Sequence, residues 1–167
     1  IRRSGGSISK IAAMKNAVGN FIDQVTANAT GDPATNEDDV THRLGIVKFS
    51  GNESDQIGND TYRSDGNTYN YSQVVQDLTS VTGNVQSLKN AVNELAAAGS
   101  TRTDFGLNQA QRVLDGDRQH GLGGAREEAK QVVVVFTDGE PSTFSNWSGG
   151  VAANAVNLAK DLKDDKV

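Results

Sequence analysis

"VVVVFTDGEPSTFSNWSGG", residues 132–150, sets four valines in a row against an abrupt Asp-Gly and then a polar loop carrying two aromatic residues. A run this short, apolar and β-branched reads as a strand buried on both faces, because only such a strand abandons the alternation of apolar and polar positions. Strands of that kind belong to parallel sheets covered by helices. The flanking sequence supplies both partners. From Ile8 to about Ala27, the residues Ile11, Met14, Val18, Phe21, Ile22 and Val25 recur at spacings of three and four, the period of an amphipathic helix. "RLGIVKFS", residues 43–50, is short, β-branched and closed by turn formers, which predicts a strand, and "SQVVQDLTSV" returns the chain as a short edge strand.

The helical period resumes from Asn84 to Ala98 through Val85, Leu88, Ala91, Val92 and Leu95, with Gly99 placed where a helix end favours it. Phe105, Leu107, Ala110, Val113 and Leu114 mark another helix after "STRTD", and Val151, Ala155, Val156, Leu158, Ala159 and Leu162 mark a last one. Alternating strand and helix patterns predict an α/β fold: a doubly wound, mostly parallel sheet flanked by helices, incomplete at both ends. Residues 1–167 read as a single domain with a long polar insertion at about 51–73, where Gly, Asn, Asp and Ser replace the aliphatic residues.

Composition sets the outer limits. A chain of 167 residues can bury one substantial core. The net charge of −5, with no Lys/Arg cluster, leaves no electrostatic footprint for nucleic acid or for an anionic membrane surface. No apolar run reaches the roughly 18 to 20 residues of a membrane span, so no membrane insertion by this segment is expected. The absence of cysteine removes disulfides, thiolate metal sites and thiol nucleophiles from consideration.

In open α/β sheets, ligands sit beyond the carboxyl ends of the strands. Asp138 stands at such an end, and Gly139 lets the backbone turn beside it. Its carboxylate is either a cap or turn former, or a ligand to something bound. Two other loops carry hydroxyls ahead of helices: "RSGGSIS" near the amino terminus and "GSTRTDFGL" around Thr101. Each has a plainer reading as a helix cap. Together, hydroxyl, hydroxyl and carboxylate from three loops would offer hard oxygen ligands to a divalent cation.

With these segments in hand, the chain resembles the von Willebrand factor type A domain family over nearly its whole length. "KIAAMKNAVGNFIDQV" resembles that family's first helix, "RLGIVKFS" its second strand, "SLKNAVNELAAAGSTRTDFGL" the helix and loop carrying the metal-site threonine, and "VVVVFTDGEPS" the strand and loop carrying the metal-site aspartate. The resemblance implies a metal ion-dependent adhesion site holding a divalent cation, magnesium first, with manganese or calcium as alternatives. Thr101 and Asp138 match the family ligands by position, with Ser4 as the third. The chain departs from the family's Asp-x-Ser-x-Ser at this third loop, where Arg2 and Gly6 replace expected ligands. The central first strand and the strand after "LAKDLKDDKV" are also missing, so another segment or chain is expected to supply them.

The cysteine-poor, Asn/Tyr-rich style of "KFSGNESDQIGNDTYR" is similar to the tip adhesins of Gram-positive pili and related bacterial surface proteins. That similarity implies an extracellular, cell-surface location. The expected partner is a host or extracellular-matrix protein whose acidic residue completes the metal shell, with Phe144 and Trp147 forming an apolar rim. Ordinary loop packing is the plainer reading of those two aromatics. The alternatives are an intracellular scaffold or assembly module of the same family, or a structural module with a non-functional metal site. Catalysis is not expected. An aspartyl phosphotransferase needs Asp-x-Asp at the strand end, but Phe136 stands two residues before Asp138, and no Gly-x-Ser-x-Gly elbow or phosphate-cradling loop is present. A metal-activated water, and with it a metal-dependent hydrolase, remains the enzyme alternative.

Overall fold

In the computed structural model, the residues described are 9–29, 42–51, 61–64, 67–143 and 146–164. The amphipathic stretch at the start folds as α1 (Lys10–Ala27), opened by Ser9, whose hydroxyl accepts a hydrogen bond from the Ala12 N–H at 3.3 Å. The first strand, β1 (Arg43–Lys48), leads to a hairpin of β2 (Thr61–Ser64) and β3 (Asn67–Asn70), and the chain returns as β4 (Gln73–Ser80). The stretch read as a polar insertion therefore contains its own two-stranded hairpin. Three further helices follow: α2 (Val85–Asn93), α3 (Thr103–Asp115) and α4 (Gly149–Asp164), with the miniature hairpin β5 (Ser142–Thr143) and β6 (Asn146–Trp147) ahead of α4. The second helix stops at Asn93, five residues short of the Ala98 that periodicity suggests. None of the described helices is long and apolar enough to cross a membrane.

β1 pairs with β4 antiparallel, from Arg43 opposite Ser80 to Lys48 opposite Gln73, with irregularities on either side of Ile46. Successive β1 side chains point to opposite faces. Leu44 and Ile46 pack against a core of Ile22, Val81, Leu88 and Val92, each at most 1% exposed, which joins α1 and α2 to the sheet. Gly45 faces the other way, where an added Cβ would stand 3.0 Å from the Val113 side chain of α3. A second cluster of Leu107, Ala155 and Leu162, flanked by Leu114 and Leu158, joins α3 to α4. Burying each such aliphatic side chain contributes about 1.5–3 kcal/mol.

The sheet differs from the expected one. Among the described residues all strand pairs are antiparallel and two-stranded, and no parallel ladder is present. The valine run belongs to no ladder among the described residues. Val132, Val133, Val134 and Val135 are 68, 38, 48 and 44% exposed, where burial on both faces was expected. The physical reason is that a strand becomes buried only through hydrogen-bonded neighbours and covering helices together. Here helices approach the run, but no described strand pairs with it.

Candidate functional site

Three segments converge where the valine run ends. Thr137 closes the turn by itself: its hydroxyl accepts from the Gly139 N–H at 3.3 Å and donates to the Gly139 carbonyl at 3.2 Å. That turn presents Asp138, whose side chain is 64% exposed, and the Lys10 ammonium at the start of α1 lies 3.2 Å from its carboxylate. The ion-pair partner of Asp138 is the first residue of α1, and because both side chains are exposed the pair contributes at most about 1 kcal/mol.

The Thr101 loop meets the same turn. The Thr101 N–H donates to the Ser142 hydroxyl at 3.0 Å, and the Ser142 N–H donates back to the Thr101 carbonyl at 3.0 Å. A Cβ added at Gly139 would stand 2.9 Å from the Thr101 hydroxyl oxygen, so only glycine lets the two loops come this close. Upstream, Ser100 is tied to Gly51 by reciprocal backbone hydrogen bonds of 2.9 and 3.1 Å. Downstream, the buried Arg102 guanidinium holds the Asp104 carboxylate through two hydrogen bonds of 3.0 and 2.9 Å and lies 3.5 Å from the centre of the Phe105 ring. The Asp104 charge also sits in the first turn of α3, where the helix dipole favours an anion. Thr101 is therefore held on both sides by buried structure, while its hydroxyl faces the Asp138 turn.

Of the residues singled out from the sequence, the structure brings Thr101 and Asp138 together. Ser4 and Phe144, with Arg2 and Gly6, lie outside the described residues. Trp147 is 65% exposed and sits opposite Ser142 in the β5–β6 hairpin, so the same loop that clasps Thr101 carries it. Its ring nonetheless lies against Gly149 at the start of α4, where an added Cβ would stand 3.0 Å from it. Lys10, Ser142 and the Arg102–Asp104 pair were not anticipated as parts of the site. A sequence signal existed only for Asp104, whose acidic side chain falls in a helical first turn.

The most strongly perturbed acid lies at the opposite end of α3. The Arg112 guanidinium, 2.7 Å from Asp117, holds that carboxyl down at about 2, assisted by the His120 ring at 2.8 Å. Asp117 also accepts from the Gln119 and His120 backbone N–H groups that open a 3-10 turn (Arg118–His120). This cluster closes the helix end.

The donors at the convergence are a carboxylate and a hydroxyl, the hard oxygens that magnesium, manganese and calcium take. Among the described residues, no three His, Cys, Asp or Glu side chains come together as a metal-binding group. Any cation shell here would therefore rest on Asp138 and hydroxyls, and the close Gly139–Thr101 approach fits such a shell. The described residues combine helices packed on short antiparallel strand pairs with hydroxyl and carboxylate loops that meet just after residue 136. Residues 4–167 match the von Willebrand factor type A domain, and the chain belongs to that family, whose fold is α/β and Rossmann-like. No curated protein and no solved structure matches the chain. Membership makes the chain compatible with adhesion or protein binding, since domains of this family commonly bind protein ligands.

Proposed function

We propose that this chain is a non-catalytic adhesion or protein-binding module that engages its partner at Thr101 and Asp138, with Ser4 assigned to the same site by the family resemblance. The observation that carries the proposal is the contact of Thr101 with the Asp138–Gly139 turn, which gathers oxygen donors from separate loops. Asp138 and Thr101, with Ser4, would hold a divalent cation, magnesium before manganese or calcium. Bound there, the cation supplies positive charge to an acidic residue of the partner. Trp147, exposed on the adjoining hairpin, gives that partner an apolar contact, and Phe144 is assigned to the same rim. The partner class is a host or extracellular-matrix protein, and the location is a bacterial cell surface, following the similarity to pilus tip adhesins.

The Lys10–Asp138 pair supports a second reading, in which lysine neutralises the aspartate and the module works as a structural or scaffold domain without metal. The two readings separate in a thermal melt with magnesium, manganese, calcium or excess chelator. A cation at 100 times its Kd stabilises by about 2.7 kcal/mol, a rise of roughly 5–10 °C for a chain of this size. A rise that chelator reverses and Asp138→Ala abolishes supports the first reading. An unchanged melting temperature in every ion supports the second.

A further inference from the structure

Of the described ion pairs, the one at the Asp138 turn is the most exposed, with the Lys10 and Asp138 side chains 82 and 64% exposed and their charges 3.2 Å apart. The site does not depend on it for its shape. The Thr137 hydroxyl closes the turn that presents Asp138, and Ser142 clasps the Thr101 loop, through hydrogen bonds that leave Lys10 out. Lysine is also a poor first residue for a helix, because the helix dipole favours an anion at that end, and α1 carries no acid in its first turn. The compensating carboxylate comes instead from Asp138, in a loop distant in sequence. One carboxylate thus serves two purposes. It neutralises the first residue of α1, and it is the one charged group among the ligands Ser4, Thr101 and Asp138 assigned to the cation.

From this we infer that Lys10 is a tethered competitor of the cation: its ammonium takes the carboxylate oxygen that a divalent ion needs, and the ion binds by displacing it. This rests on the first reading above, that a divalent cation binds at Asp138. Two positive charges on one exposed carboxylate repel each other, so each weakens the other's hold. The ion carries twice the charge of the lysine. The ammonium, for its part, returns to water on a flexible four-carbon stem and loses little on leaving. An arginine, which grips a carboxylate through two parallel hydrogen bonds, would yield less readily. The pair itself bounds the size of the effect. An exposed ion pair is worth at most about 1 kcal/mol, so freeing Asp138 from it tightens cation binding by at most about fivefold.

The test is titration of the full chain with manganese(II) alone in about 0.1 M salt, read by electron paramagnetic resonance of the free ion. Lys10→Met should bind manganese about two- to fivefold more tightly than the native chain, and Lys10→Arg no more tightly than the native chain. Lys89→Met removes an equal charge from the pair with Asp23, which lies about 20 Å along α1 from Lys10 at about 1.5 Å per residue. That distance exceeds the screening length of about 10 Å, so the affinity of Lys89→Met should be unchanged. Asp138→Ala should abolish binding with or without Lys10→Met. Equal affinities for Lys10→Met and the native chain, with both binding, overturn the inference and leave the cation site standing. Tightening of the same size in Lys89→Met overturns it in favour of a general charge effect. No manganese binding by either the native chain or Lys10→Met overturns the cation reading, and this inference with it.

Discussion

Removing the carboxylate of Asp104 tests how the Thr101 loop is held. Asp104 and Arg102 have side chains 6 and 9% exposed, and they share two hydrogen bonds near 3 Å beside the Phe105 ring. Taking two charges out of water costs several kcal/mol per ion, which their attraction and hydrogen bonds offset. Asp104→Ala leaves the guanidinium buried without its anion, and the expected loss is about 3–5 kcal/mol. That is a large share of a total stability of about 5–15 kcal/mol. In urea, with a slope of about 2 kcal/mol per molar, the midpoint should fall by roughly 1.5–2.5 M. The double variant Arg102→Leu/Asp104→Leu should recover most of the loss, because the uncompensated charge leaves with its partner. A midpoint change under roughly 0.5 M for Asp104→Ala, about 1 kcal/mol at that slope, would refute the reasoning. So would a double variant as unstable as the sum of its two singles.

Leu88→Ala, at a side chain with no exposure, should cost about 2–5 kcal/mol in the same assay, whereas Val156→Ala, at 68% exposed, should stay within about 0.5 kcal/mol. Gly106→Ala reverses the usual helix preference. A Cβ there would meet Phe49 at 2.7–3.1 Å, so overpacking of about 1–3 kcal/mol should exceed the gain of about 1 kcal/mol from alanine, and a net stabilisation on urea unfolding would contradict the packing. Asp117 titrates near 2 in the folded chain against an ordinary 3.8, so its stabilising contribution is complete above about 3.8 and is lost as pH falls toward 2. The difference in urea midpoint between the native chain and Asp117→Asn should therefore be level above that window and shrink within it.

Much of this protein is legible without coordinates. Helices α1, α3 and α4 follow from the three-and-four spacing of their apolar residues, because a helix shows one face to its core and that period survives in the sequence. β1 and β4 follow from short β-branched runs, and Thr101 and Asp138 from loops that a family pattern aligns. What escaped is non-local. The extent of α2 and the hairpin inside the polar stretch depend on contacts that weak local propensities do not set. Lys10 and Ser142 lie far in sequence from Asp138 and Thr101, and only the packing of α1 and of the β5–β6 hairpin brings them there.

The valines show the division most sharply. Composition marks residues 132–135 as a strand made for burial, since four β-branched side chains in succession suit no solvated surface. Whether a strand is buried, however, depends on what lies beside it. Its side-chain pattern is a local property, but its ladder depends on other segments, and only the tertiary structure reveals that this run stands between helices with no paired strand among the described residues.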